Sequence, residues 1–337
     1  MKKGMGIMKK ITTMVLAAVL CLSMVWMTGC GGNANGDAGK DSGADAGTNA
    51  GAESGQSGEQ AAETEFPLTI KDDLGNKVVL EKAPERVVSL SPSATEILFA
   101  VGAGEQVVGR TDYCSYPEEA SKVDSIGTYI DPNTELILSK EPDVVLASDY
   151  IDDAIKSQIE AVGAKVIVLS ANSLEAIEAD ILLVGKVLNQ NEKAGDVVED
   201  MNAELKEVQE ITAKAEEKKS VFVDIGSFYS AGPGSLLDDE LNKLGAVNIA
   251  AEAGETWPQI SVETIIEKNP DVYISLFTSV DELKTISGLN ELDCMKNDQV
   301  VFYDGLSKEA DMIQRSGPRV TKGIRLLAES IYPELFK

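Results

Sequence analysis

From residue 86 onward the chain alternates two kinds of hydrophobic pattern. Short, mostly apolar runs at 86–90, 106–109, 143–147 and 165–169, each opened by one polar residue, have the length of strands buried on both faces. Helical segments separate and follow them, among them 94–101, whose start is marked by Pro92 and Ser93, and the amphipathic stretch 174–188. Strand, loop, helix in repetition predicts a parallel sheet covered on both sides. A smaller pair of alternating runs, 68–70 and 77–80 around Asp-Leu-Gly-Asn, predicts a hairpin where the folded part begins, near Phe66. A longer helical pattern then places Ala194, Val197, Val198, Met201, Leu205, Val208 and Ile211 on one face and runs to about Lys218. At 1.5 Å per residue it reaches roughly 40 Å, enough to bridge two lobes. A second strand and helix series follows, with strands at 220–224 and 300–303 and helices at 236–244 and 320–330.

One stretch occurs twice. Residues 133–148 (NTELILSKEPDVVLAS) and 261–276 (SVETIIEKNPDVYISL) match with every position 128 residues apart. In each copy a polar cap, Asn133 or Ser261, opens a short helix, and Pro142 or Pro270 closes it before an apolar strand. A repeat at this distance predicts two similar α/β lobes with central parallel sheets, joined by the long helix. The expected divisions are a signal segment at 1–30, a tether at 31–65, a first lobe at 66–188, the connecting helix at 189–218 and a second lobe at 219–337. Glu135 and Glu263 fall at equivalent places. A carboxylate in the first helical turn is favoured by the helix dipole, by roughly 0.3–1 kcal/mol, so capping alone would account for each of them singly.

Composition narrows the function. With 56 acidic and 30 basic residues the net charge is -26, which argues against binding nucleic acid. The chain has no histidine. A His-ligated metal site, a Ser-His-Asp triad and a Cys-His dyad are therefore excluded, and no spacing of carboxylates points to acid-base catalysis. The expectation is a protein that is not an enzyme, with no metal site and no cofactor of its own. Of four cysteines, Cys114 and Cys294 fall in opposite lobes, which favours two free thiols over a disulfide.

The N-terminus has the layout of a secretory signal: Lys2, Lys3, Lys9 and Lys10 precede an uncharged, largely apolar run at 11–27. Met27-Thr28-Gly29-Cys30 resembles the lipobox of bacterial lipoproteins, with Met27 where leucine is usual, which implies lipidation (palmitate among the acyl groups) at Cys30. Residues 31–65 are mostly Gly, Ala, Ser, Asn, Asp and Glu with almost nothing to bury, the composition of a flexible tether. The expected location is the extracytoplasmic face of the cell membrane, held there by the lipid.

Parallel α/β sheets place ligands at the loops that follow their strands. Here those loops carry Ser91-Pro92-Ser93, Tyr113, Tyr129, Phe228-Tyr229, Trp257, and Asp311 with Arg315. With 17 aromatic residues in the whole chain, five in these loops suggest a flat, largely uncharged ligand held by stacking. At these positions the sequence resembles the periplasmic cobalamin-binding proteins of ABC importers, within a wider family that binds siderophores and haem. Arg86-Val-Val-Ser-Leu-Ser-Pro and the two Glu…Pro-Asp-Val repeats resemble the wider family, while Trp257-Pro-Gln-Ile-Ser and Asp311-x-x-x-Arg315-x-x-Pro318-Arg319 resemble the cobalamin branch.

The resemblance implies two Rossmann-like lobes joined by one long rigid helix, and a corrinoid in the cleft between them touching Pro92, Tyr113, Tyr129, Tyr229, Trp257, Asp311 and Arg315. It also implies a monomer whose Glu135 and Glu263 dock onto a two-subunit ABC permease. Tyr129 stands where cobalamin binders often have Trp, Gln314 where an acid is expected, and Met312-Ile313 where an aromatic pair would be. The alternative ligand is haem or a ferric siderophore. Haem calls for a protein ligand such as Tyr, and an anionic siderophore for cleft arginines, among which Arg110, Arg315 and Arg319 are the candidates.

Overall fold

In the computed structural model, which describes residues 62–337, a hairpin is followed by two four-stranded parallel sheets. The signal segment, Cys30 and most of the tether lie outside the described residues. Strands β1 (Leu68–Lys71) and β2 (Lys77–Leu80) pair antiparallel as expected. The first lobe continues with β3 (Val87–Ser89), α1 (Pro92–Ala100), β4 (Val107–Arg110), α2 (Thr134–Ser139), β5 (Val144–Ala147), α3 (Asp153–Ala161), β6 (Lys165–Val168) and α4 (Leu174–Val187). After α5 (Asn191–Thr212) come β7 (Ser220–Asp224), α6 (Leu236–Lys243), β8 (Val247–Asn248), α7 (Val262–Lys268), β9 (Val272–Ser275), α8 (Val280–Thr285), α9 (Asp293–Lys296), β10 (Val300–Phe302), α10 (Lys308–Gln314) and α11 (Val320–Ile331).

The two sheets share one topology. The first runs β4-β3-β5-β6 and the second β8-β7-β9-β10, so in both the first strand of the lobe lies between its second and third. Strand alternation sorts side chains to two faces: Val87, Val144, Leu146 and Ile167 face one core, while Val88, Val145, Val166 and Val168 face the other. The second sheet divides likewise, Val221, Val223, Val272 and Ile274 against Phe222 and Tyr273. This is why the strands read as mostly apolar runs. Strand β8, two residues long, carries too little pattern to be read from sequence.

The repeated segments fold alike. Asn133 caps α2 by accepting from Leu136 N, and Ser261 caps α7 by accepting from Thr264 N. Each helix is followed by a residue in the left-handed region, Glu141 (φ 48°) and Asn269 (φ 42°), immediately before its proline. The left-handed residue turns the chain out of the helix, and the proline cannot rejoin it.

Helix α5 links the cores of both lobes. Ala194 and Met201 pack in the first core, Val208 in the second, and Leu205 touches both. It ends at Thr212, short of the expected Lys218, because past Ile211 the polar run Glu216-Glu217-Lys218-Lys219 offers no apolar position to hold another turn. At 22 residues it spans roughly 33 Å. Nor does it join the lobes alone. In α11, Val320 belongs to the first core and Ile324, Leu327 and Ile331 to the second, and Leu236 of α6 packs into the first. The last residues of the expected tether are also fixed, since Asn191 Nδ2 donates to Ala62 O (2.9 Å) and Thr64 N donates to Asn189 Oδ1 (2.8 Å). These polar contacts leave no hydrophobic trace in the sequence.

Candidate functional site

The loops that follow the strands of the first lobe and the start of α6, the 256–257 loop and the end of α10 from the second enclose a cleft of about 700 Å³. That is the size range of small-molecule sites. On the first-lobe side the loops after β3 and β5 flank the point where the strand order reverses, the usual ligand position in open α/β sheets. Ser91 caps α1 by accepting from Ala94 N (3.1 Å), with Pro92 in the first turn, so both residues are set by the helix start. Tyr113 projects from a turn pinned beneath it by buried Cys114, whose Sγ lies 3.2 Å from Thr111 Oγ1. Tyr129 contacts Tyr150 edge-on, with ring centroids 6.4 Å apart, and its hydroxyl lies 3.1 Å from Ser148 Oγ. Burial pushes the Tyr129 hydroxyl above its ordinary value.

Of the seven residues expected in the cleft, Pro92, Tyr113, Tyr129, Trp257 and Arg315 line it. Tyr113 and Trp257 remain 58% and 54% exposed, aromatic surface with nothing packed over it. Asp311 is one layer behind, its Oδ1 2.8 Å from Arg315 Nη2 on the same helix. Burial pushes the Asp311 carboxyl up, against the pull of Arg315 and Arg319. Tyr229 is not brought to the cleft. It bridges to Gln259, and its neighbour Phe228 packs into the second-lobe core, because the chain after β7 folds back under the 256–260 loop instead of toward the first lobe.

The arginines reduce to one. Buried Glu96 on α1 accepts from Arg319 Nε (2.8 Å), Arg319 Nη2 (2.7 Å) and Arg315 Nη1 (3.0 Å). The Arg319 guanidinium also lies 4.0 Å from the centre of the Tyr116 ring. Arg319 is thus a clasp between the lobes, and Glu96 raises its pKa although burial opposes this. Arg110 donates to the carbonyls of Ala120, Thr111 and Ser121 and does not reach the cleft. Among the described residues only Arg315 offers positive charge there, already shared with Glu96 and Asp311, while Asp149 and Asp180 line the same cavity.

The sequence reading also missed several wall residues: Tyr150, Asn172, Thr256 and Asp180. A signal existed for Asp180, an acid in line with Ile177, Ile181 and Val184 on the apolar stripe of α4. Glu135 and Glu263 lie away from the cleft, both exposed in the first turns of α2 and α7. Cys114 and Cys294 are free and buried, and burial pushes the Cys294 thiol up to about 11. Among the described residues no helix is long and apolar enough to cross a membrane.

Two lobes of one topology enclosing a solute-sized cleft define the class of bilobal binding proteins, and the periplasmic binding protein family matches residues 87–305. The chain belongs to this family, whose members are substrate-binding transport proteins and not enzymes. The uncharacterized ABC transporter substrate-binding lipoprotein YvrC of Bacillus subtilis (strain 168) is 34% identical over 333 residues, covering 95% of this chain and 97% of YvrC. A vitamin B12-binding protein of Salmonella choleraesuis is 32% identical over 253 residues, covering 74% of this chain and 91% of the relative. Among solved structures, the periplasmic heme-binding protein RhuT from Roseiflexus sp. RS-1 superposes with a TM-score of 0.66 at 26% identity, covering 74% of this chain and 99% of that one.

Proposed function

We propose that this chain is the lipid-anchored solute-binding component of an ABC importer and that it carries a corrinoid in the cleft between its lobes. Cys30 bears the lipid, the protein works as a monomer at the extracytoplasmic face of the membrane, and Glu135 and Glu263 meet the two subunits of the permease. The observation that carries the ligand reading is the lining itself: exposed aromatic surface from Tyr113, Tyr150 and Trp257, with one arginine already engaged by two carboxylates. A corrinoid offers a broad apolar face and a rim of neutral amides, which such a lining suits. An anionic ferric siderophore would meet Asp149 and find little free positive charge. Haem is the second reading, because Tyr113 sits in the cleft with an exposed ring and could supply an iron ligand.

Absorbance-monitored titration with cyanocobalamin, haemin and a ferric siderophore distinguishes the three. Cyanocobalamin should bind, with an affinity nearly independent of salt, since no net charges attract. Trp257→Ala should weaken it by about 2 kcal/mol, roughly thirtyfold, the usual cost of removing a central aromatic anchor. Arg315→Ala should cost less. Tight, salt-sensitive siderophore binding that survives Trp257→Ala, without cyanocobalamin binding, would reverse the assignment.

A further inference from the structure

Asp180 stands in the wall of the cleft, on the face of α4 that otherwise carries Ile177, Ile181 and Val184. It is 3% exposed, and among the described residues no N–H or O–H donor other than an acid proton is directed at its carboxyl. Its polar neighbour is a second carboxylate, Asp73, from the turn between β1 and β2. Asp73 is exposed, so of the two carboxyls it is Asp180, buried beside a like charge, whose ionised form is disfavoured. Asp73 accepts from Ser170 N at its Oδ2 (2.6 Å). Asp180 has no such support, and burial, followed by the charge of Asp73, pushes it up to about 8. At neutral pH the wall therefore presents a carboxylic acid with both a donor and an acceptor.

Other charged groups around α4 are engaged elsewhere. Glu178 turns to Asn202 of α5, Asp239 of α6 accepts from Leu174 N, and Glu175 pairs with Lys243. On α1, Glu96 is taken up by its two arginines, and on the cleft walls the remaining charges are Asp149 and Arg315, with Tyr113, Tyr129 and Tyr150 as the titratable hydroxyls.

We propose that Asp180 is a specificity-determining residue of the cleft, pairing as a neutral acid with a primary amide of the bound solute. The acid O–H donates to the amide carbonyl, and the amide N–H donates to the acid carbonyl. This rests on the reading that a solute occupies the cleft, and it names the group that this part of the wall selects. When the solute arrives, the Asp180 proton turns from Asp73 to the amide, and Asp73 keeps its bond from Ser170. A carboxylate on the solute at this depth would face two acids. A cation would instead favour the ionised form of Asp180.

The sign of the pH dependence separates these chemistries. Loss of the proton removes the donor and sets a carboxylate against the amide carbonyl, so affinity for an amide falls as pH rises through the Asp180 value. It should be about tenfold weaker one pH unit above that value, where about a tenth of the protein remains competent. A cationic solute would bind more tightly over the same range.

The test is calorimetric titration of cyanocobalamin, and of its monocarboxylic acids in which one side-chain amide is hydrolysed, across about pH 6 to 9. Asp180→Asn should bind cyanocobalamin within a few-fold of wild type at neutral pH and lose the alkaline decline, because an amide pairs with an amide but does not titrate. Asp180→Ala should bind at least about tenfold more weakly, the loss of two buried hydrogen bonds. Asp73→Asn should move the decline to lower pH by removing the like charge, a change that a merely structural role would not produce. A wild-type affinity that is flat or rises with pH, or Asp180→Asn as weak as Asp180→Ala, would overturn the proposal. If wild type binds no cyanocobalamin at neutral pH, the corrinoid reading fails by itself. The same variants titrated with haemin and haemin diamide then decide the role of Asp180, which requires the diamide to be preferred.

Discussion

Glu240 is the residue most at odds with its surroundings. It is fully buried in α6, and neither carboxyl oxygen has a hydrogen-bond partner. Burial, then the neighbouring Asp239 carboxylate, pushes it well above the ordinary carboxylate range. The folded protein therefore keeps a proton that the unfolded chain releases near the usual glutamate value. Its contribution to stability is fully present below that unfolded value and is lost as pH rises toward the folded one. Glu240→Gln removes the titration, so its melting temperature should gain on wild type as pH rises from about 5 to about 9. Parallel curves for the two proteins would show that Glu240 is not held neutral. The neutral form of neither this residue nor Asp180 could be assigned from sequence, although Asp180 falls on the apolar stripe of its helix. An acid on a helix reads as a solvated position until its neighbours are known.

Helices α10 and α11 set the position of Arg315 and Arg319, and Gly323 is what lets them meet. A Cβ at Gly323 would lie 2.2 Å from Met312 O, too close for any side chain without moving α10. Since Arg315 caps the end of α10 and reaches Glu96, that movement would pass to the clasp. Gly323→Ala should destabilise by about 1–3 kcal/mol, the typical cost of overpacking. It should also weaken ligand binding, because Arg315 lines the cleft. Thermal melting and titration of the same variant check both, and an unchanged melting temperature would rule out the close approach. Periodicity announced the helix at 320–330, but the closeness of its packing on α10 depends on a backbone contact that no hydrophobic pattern records.

For the whole molecule, three elements tie the two lobes together around the cleft. Helix α5, helix α11 and the start of α6 place apolar side chains from one lobe in the core of the other, and Glu96 with its two arginines adds a buried ionic tie. Removing one partner of such a buried pair costs about 3–5 kcal/mol, because the remaining charge has no partner. Glu135 and Glu263 are the exposed carboxylates on matching helices of the two lobes. If they dock onto a permease of two like subunits, changing both to Ala should abolish stimulation of transport and complex formation while leaving solute affinity at the wild-type value. Close charge pairs at interfaces are worth about 1.5–7 kcal/mol, so pull-down with the permease should resolve the effect. Loss of solute binding in that variant would place them in the cleft function instead.

The sequence by itself determined most strands and helices, the doubling of one α/β unit and the helix between its copies. Each of these follows from local period, capping residues and proline positions, which act within a few residues of the chain. The aromatic character of the cleft was legible for the same reason, since loops after parallel strands converge at one edge of a sheet. Only the tertiary structure decided which loop residues share the cavity. It paired Tyr229 with Gln259 beside the cleft loop, set Asp311 behind Arg315, consumed Arg319 in a contact with Glu96 far away in sequence, and turned Arg110 onto carbonyls of its own neighbourhood. It also brought Asp73 and Asp180, 107 residues apart, into one acid pair. Charge balance inside a cleft depends on such distant partners, and a linear pattern carries no measure of them.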